Sequence, residues 1–544
     1  MTSEAATLAD ELVHLLGTWA PLEATFVGVP GHDHELPDPS EAGHARLRAE
    51  AAGILARARA SADPDKITLG VVVQQAEALI TQIDARVVEF TLAEPMCAIG
   101  MLHLAFLPQL EPAGEQAEED FLSRLAAFPA FYDALAERHR AGLRAGRLPV
   151  DRMAHHALGI LDRFLAQDTP FPQPLTGDRG KRRDELVAGE VRPALARYRE
   201  FLATEVVGHG RKDDQPGLCW LEDGEAHYAA LARVYTTTGH TPAELHQLGL
   251  DVLAELEAEY AELGGRVFGL TDPAEVRRRL RSDESLRWRD AEEMLATARD
   301  AVARATAAAP DWFPRVPKAE CVVKAVPAAE APVAAAAYYM PPALDGSRPG
   351  VYFTNTHEVH TRDRFIAETV AFHEAVPGHH FAESLALELT DLPQLRRIAL
   401  ITAYDEGWAL YTERLADEMG LFSDDLMRLG MVAEDSVRAA RLVVDTGLHA
   451  RRWTRQQCVE FLRGNTVLSE VEVQSETDRY IENPGQALAY LTGRLEIVRL
   501  RRYAEEQLGA SFDIKEFHGV VLGSGKLPLD VLGDVVRTWV GAKV

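Results

Sequence analysis

Apolar residues recur at three- and four-residue intervals over most of the chain, the period of helices that bury one face. The pattern predicts helices over 71–91, 120–145, 185–206, 243–263 and 287–307, and an amphipathic helix from Leu8 to Trp19. Ala, Leu, Arg and Glu fill these stretches, and all four favour helix. Thr241-Pro242-Ala243-Glu244 marks a helix start: a capping Thr, Pro at the first helical position, and Glu three residues after the cap. Proline-rich breaks at 28–39 and 169–176 interrupt the pattern. The second, followed by Gly177 and Gly180, separates an N-terminal helical region (1–176) from a remainder (177–544), unless the two form one continuous unit. No repeat of solenoid length is present.

One region departs from the helical period. Between Ala319 and Thr356 stand Cys321-Val322-Val323, a small-residue run ending in Tyr338-Tyr339, and the turn-rich Asp345-Gly346-Ser347-Arg348-Pro349-Gly350. The strand-like Val351-Tyr352-Phe353-Thr354 follows, so a small sheet or hairpin is expected here. The fold class is mainly α: a large helical body with a small antiparallel β-sheet.

Charge narrows the partners. The chain has 544 residues, 57 Lys+Arg against 84 Asp+Glu, and a formal charge of −27. So acidic a surface repels nucleic-acid backbones and anionic lipid headgroups. The short run Lys181-Arg182-Arg183 is flanked by Asp178 and Asp184-Glu185 and reads as a solvated helix start. Cys97, Cys219, Cys321 and Cys458 are scattered without a C-x-x-C pair, which points to reduced thiols rather than a disulfide framework or a cysteine zinc site. Neither an export signal nor a run long and apolar enough to cross a membrane is visible. A soluble cytoplasmic protein is expected.

The candidate chemistry lies just after the sheet region. Glu368-Thr369-Val370-Ala371-Phe372-His373-Glu374-Ala375-Val376-Pro377-Gly378-His379-His380-Phe381 opens like the H-E-x-x-H zinc helix, but the second histidine arrives six or seven residues on. Six residues of straight helix turn a side chain by about 240° and raise it about 9 Å. Seven return it to the same face but about 10.5 Å along the axis. Neither separation suits two nitrogens held about 2.0–2.1 Å from one zinc. Pro377 and Gly378 offer the escape. Proline clashes with the carbonyl four residues back, glycine tolerates unusual backbone, and a kink there can return a histidine to the ion. The spacing leaves His379 and His380 both open as that ligand.

A second helix, Tyr404-Asp405-Glu406-Gly407-Trp408-Ala409-Leu410-Tyr411-Thr412-Glu413, follows a break near Asp391-Leu392-Pro393. Folded back on the first, it would set Glu406 opposite His373. Two histidines and a carboxylate leave an open fourth position, as catalytic zinc requires. Glu374 would then serve as general base, and Glu413, two turns from Glu406 on the same face, could orient a ligand histidine from behind. His357 and His360 read as solvated loop residues.

These residues resemble the bacterial domain-of-unknown-function family 885, which is regarded as related to zinc metallopeptidases of the gluzincin type and is distantly similar to the carboxypeptidase Taq group. The likeness extends to Tyr338-Tyr339-Met340-Pro341-Pro342, to Asp345–Tyr352, to 228–250, and to Arg479-Tyr480, Pro484-Gly485-Gln486-Ala487-Leu488-Ala489-Tyr490 and Gly493. Carried over, it implies one zinc per chain on His373, His379 and Glu406, Glu374 as base, and His379 in preference to His380. It also implies a helical body around a cleft. Arg479 and Tyr490 are candidate oxyanion donors, with Tyr480 as the alternative phenol. The first expectation is a zinc peptidase acting on peptide or small amide substrates. The alternatives are a zinc hydrolase of a small amide or ester, and a non-catalytic peptide-binding protein derived from a peptidase. The intact Glu374 speaks against the last. Extended substrate could also pair with the strand at Gly350–Thr356.

Overall fold

The computed structural model describes residues 3–328, 331, 334–342 and 348–544. The protein is mainly α-helical, with a three-stranded sheet. Helices form where the apolar period places them, and their ends follow local caps. Glu4–Trp19 starts at Ser3, whose hydroxyl accepts the Ala6 N–H. Pro242–Phe268 carries the full reciprocal cap between Thr241 and Glu244. The helix expected over 71–91 runs instead from Lys66 to Asp84. Asp65 caps it early, and the chain then turns through Arg86 at φ 54°. That turn places the buried Glu89 carboxylate among Arg86, Arg138 and Arg147. The helix expected over 287–307 is Ala291–Trp312, because Asp290 accepts the Glu293 N–H and fixes the start.

The proline-rich break at 169–176 is a packed corner. Phe171 lies edge-on against Phe121, Phe128 and Phe164. One apolar core joins Phe121, Phe128 and Leu161 to Val191 and Leu202, and also to Val444, Leu448 and Tyr480. A second joins Leu8, Leu12 and Val72 to Phe372, Trp408, Ile497 and Val536. Both cores draw residues from each side of the break. No helix among the described residues is long and apolar enough to cross a membrane.

The sheet comprises β1 (Cys321–Ala325), β2 (Ala337–Met340) and β3 (Gly350–Thr354) in the order β1-β3-β2. β2 and β3 pair antiparallel, but β1 lies on the other side of β3 and pairs with it in parallel. The sheet is therefore mixed rather than antiparallel, because β1 runs in the direction of β3 and not of its reversed neighbour β2. It follows that β3 is the central strand. Both of its edges are already bonded, so it cannot take an added peptide strand as the sequence suggested. The turn residues Asp345, Gly346 and Ser347 lie outside the described residues. β2 rests against the helices Ala367–Glu374 and His379–Glu388, which carry the histidines.

Candidate metal centre

The first helix ends at Glu374 and a new one begins at His379. Between them the backbone leaves helical geometry at Ala375 (φ −110°, ψ −100°) and Gly378 (φ −77°, ψ −130°). Gly378 is required by close approach: a Cβ there would lie 1.9 Å from the His373 carbonyl oxygen. The Trp408 indole N–H donates to the Pro377 carbonyl at 2.9 Å and pins the break from the neighbouring helix. This corner folds the chain back on itself, so His379 returns to His373, with ring centroids 4.9 Å apart and nearly perpendicular.

The helix Thr402–Glu418 supplies the third group. One Glu406 oxygen, Oε2, lies 3.4 Å from His373 Nε2 and 3.4 Å from His379 Nε2. One donor atom from each of the three residues falls within 4.8 Å of the others. Glu406 Oε2 is buried and has no hydrogen-bond partner among the described residues. Glu413, two turns further on, accepts from His373 Nδ1 at 2.8 Å. An imidazole presents its nitrogens on opposite sides, so the ring spans two carboxylates on one helix face. That bond engages Nδ1 and leaves Nε2 facing inward, the nitrogen that a metal would take on loss of its proton.

His380 points elsewhere. Its ring accepts the Tyr339 hydroxyl at Nδ1 (3.0 Å) and donates from Nε2 to the Ala319 carbonyl (3.0 Å), tying the second helix to the sheet. Burial pushes its pKa down to about 4, so it stays neutral. His357 and His360 are exposed and apart from the cluster.

Electrostatics converge on the same point. Burial opposes charge on His373, but the carboxylates of Glu406 and Glu413 outweigh it and lift the pKa to about 9. Burial likewise disfavours the Glu406 anion, yet the two histidines hold its pKa well below the usual carboxylate range. Glu374, half-buried beside them, is raised by burial, with both histidines pulling the other way. Behind His379, Glu383 stands 3.8 Å from Nδ1, and the buried Lys526 ammonium lies 3.1 Å from Asp405.

The C-terminal signature approaches through a close helix crossing. A Cβ on Gly407 would sit 2.5 Å from the Gly493 Cα, so Thr402–Glu418 and Ala489–Leu508 meet backbone to backbone. The crossing brings Tyr490 near Glu406, whose charge adds to burial in raising the phenol's pKa. The Arg441 guanidinium lies 4.6 Å from the Tyr490 ring centroid. Arg479 donates to Glu476 at 3.2 Å and to Gln486 at 3.3 Å, and the Tyr480 hydroxyl also donates to Glu476. Tyr480 is fully buried and Tyr490 half-buried, so of the two phenols Tyr490 is the one with access to open space.

Sequence reasoning did not find Arg438, Arg441, Glu383 or Lys526. Arg438 and Arg441 carry little signal, since the helix Asp425–Ala450 also holds Arg428, Glu434, Asp435 and Asp445. Lys526 carries none, since it comes from the Gly523-Ser524-Gly525 loop far downstream. A separate apolar cavity of about 370 Å³ lies among the N-terminal helices, with Leu395, Thr402, Asn483 and Pro484 on one wall. None of the three converging residues lines it.

Comparison with known proteins adds the relatives. The family described as "Bacterial protein of unknown function (DUF885)" matches residues 21–536. The crystal structure of "the putative lipoprotein from Colwellia psychrerythraea" is similar at TM-score 0.90 and 27% identity, over 100% of both chains. The structure of "a putative lipoprotein of unknown function from Shewanella oneidensis" shares the fold at TM-score 0.74 and 17% identity, covering 98% of this chain and 100% of the other. No curated protein matches the chain.

Proposed function

The chain belongs to the DUF885 family of bacterial proteins, and we propose that it is a zinc-dependent hydrolase of amide bonds, acting on peptides. The observation that carries this reading is Glu406 Oε2, a buried oxygen without a hydrogen-bond partner that stands 3.4 Å from two imidazole nitrogens. Ligands about 2.0–2.1 Å from a tetrahedral zinc are separated by about 3.3–3.4 Å, so the two distances match edges of such a tetrahedron. The donor set of two neutral imidazoles and one carboxylate is that of hydrolytic zinc rather than of a closed structural site. The order of parts supports a relationship to gluzincin-type peptidases: histidine, adjacent glutamate, returning histidine, then a glutamate on a following helix.

A zinc ion held by His373, His379 and Glu406 would supply Lewis acidity, polarising a carbonyl and acidifying water. Glu374 takes the proton from the attacking water and passes it to the departing amine. Its half-buried position strengthens each charge interaction it makes. The Tyr490 hydroxyl donates to the oxyanion, while Glu413 keeps His373 in the tautomer that faces the metal.

The test combines elemental analysis with peptide hydrolysis before and after chelation. About one zinc per chain is expected, with cleavage lost on chelation and restored by zinc. Zinc-loaded protein that cleaves no member of a diverse peptide library would sink the reading.

A further inference from the structure

We propose that the cavity among the N-terminal helices is a binding site for a small apolar molecule with an uncharged or cationic hydrogen-bond-donating head, a hydroxyl or an amine. Its walls come largely from Glu4–Trp19, Lys66–Asp84, Ile99–Phe106 and Gly224–Thr236, away from the three converging residues of the metal centre. At about 370 Å³ it falls in the range of ligand pockets, with room for about a dozen water-sized groups. Met96 and Leu400 stand in its wall with exposures of 63% and 65%, two of five large apolar side chains so exposed among the described residues. The cavity therefore reaches the surface beside them. Apolar walls that continue onto exposed apolar side chains favour an apolar body over water alone.

The polar groups in the wall define the head. His103 is 2% exposed and donates from Nδ1 to the Ile99 carbonyl at 2.6 Å. Burial pushes its pKa down to about 4, so the ring carries only that one proton and Nε2 presents a bare lone pair. That nitrogen is buried without a partner among the described residues, and a donor is what it lacks. His44, likewise held neutral near 4 by burial, leaves a buried Nδ1 unpartnered in the same cavity wall. The charged groups there are acidic. Asp38 is paired with Arg46 at 3.1 Å, whereas Glu23 makes no ion pair among the described residues. Arg124 acts on Glu23 only through space: its guanidinium donates to the carbonyls of Pro21, His32 and Glu35 and to the Thr25 hydroxyl. No Lys or Arg among the described residues lines the cavity, so an anionic head would be buried there without a counter-ion. A hydroxyl suits the imidazole, and an ammonium can also answer Glu23.

The experiment measures binding of 1-octanol, octylamine, octanoate and heptyl methyl ether to the full-length protein by calorimetry, after any metal has been removed. Working without metal keeps the result apart from ligation at the histidine–glutamate centre. The alcohol and the amine are each expected to bind at one per chain. Both should be held about 10-fold more tightly than the ether, which offers no donor, and than octanoate. His103→Leu is expected to bring the alcohol down to the level of the ether. Met96→Ser combined with Leu400→Ser, at exposed positions, should weaken the alcohol about 10-fold through lost apolar contact. Equal binding of amine and alcohol assigns the head to His103 alone, and an amine advantage that Glu23→Gln removes assigns the added charge to Glu23. The wild-type series decides the question even if His103→Leu does not fold. No binding of alcohol or amine overturns the proposal, as does ether or octanoate bound as tightly as the alcohol. Alcohol binding unchanged by both His103→Leu and the exposed pair overturns it as well.

Discussion

Glu406 and Glu482 are both deeply placed glutamates on helices, and they are finished in opposite ways. Glu482 accepts the backbone N–H groups of Leu92, Ala93 and Glu94 at 2.7, 2.8 and 2.7 Å, which uses both of its oxygens. Its partners lie some 390 residues away in sequence, so the carboxylate staples the N-terminal region to the C-terminal helices. Glu406 has two imidazoles beside it and a buried oxygen that bonds to nothing among the described residues. A buried polar group that the protein satisfies by itself is structural; one left incomplete, among groups converging on a point, is arranged for a partner from outside. The same contrast separates the two adjacent histidines. His380 is satisfied at both nitrogens by the chain, whereas His379 Nε2 faces Glu406 and the open point.

The comparison breaks most visibly at Glu374. Replacing it with Gln keeps size and the zinc ligands but removes the base, so turnover should fall by about 10³-fold or more with zinc content unchanged. Full activity in that variant would show that the incomplete site is not a hydrolytic one. Next in size is the histidine pair. His379→Ala should abolish stoichiometric zinc by elemental analysis, while His380→Ala should keep the metal and lose thermal stability, since it breaks the links to Tyr339 and Ala319. Equal zinc loss in both would erase the distinction drawn between them. Glu413→Gln is a subtler probe. It retains a hydrogen-bond acceptor for His373 but not the charge, and zinc affinity measured by chelator competition should drop about 10- to 100-fold.

Much of this arrangement is legible in the sequence, and the limits have physical causes. The apolar period marks the helices, because burying one face imposes that period whatever the neighbours are. The incompatibility of a straight helix with joint ligation, set beside Pro377-Gly378, points to a corner there. What the spacing cannot show is which histidine emerges toward the metal. That depends on the helix restarting at His379, and on Tyr339 and Ala319 claiming His380, which are contacts made across the sheet. Glu413 is visible because seven residues return to one helix face, whereas Lys526 is not, because it reaches Asp405 from a distant loop. The sheet shows the same limit: strand propensity locates β1 and β3, but the direction of pairing is a matter of topology. Arg441 is an intermediate case. Its burial is suggested by the apolar Leu442-Val443-Val444 that follows it, but its partners Glu476 and Tyr490 are found only in the fold.

The smallest expected effect belongs to the satisfied member of the comparison. In Glu482→Gln, one side-chain oxygen becomes an NH₂ that confronts backbone N–H donors, so the variant should lose about 1–3 kcal/mol of stability with zinc affinity and turnover intact. The pH dependence sharpens this. Burial lifts the Glu482 carboxyl from 4.5 to about 7, against the pull of the three N–H donors. The folded state therefore holds its proton more tightly than the unfolded chain, which binds fewer protons between those values, so stability falls as pH rises through this window. Its contribution is fully present below pH 4.5 and is lost by the time the folded group has ionised near 7. The glutamine variant has nothing to titrate at this position, so the melting-temperature gap between wild type and variant should be widest near pH 4.5 and narrow toward pH 7. A gap that stays constant across that range would mean that Glu482 is ionised throughout. The N–H donors would then outweigh burial, and the staple would be a carboxylate as charged as Glu406, distinguished from it only by having its partners within the chain.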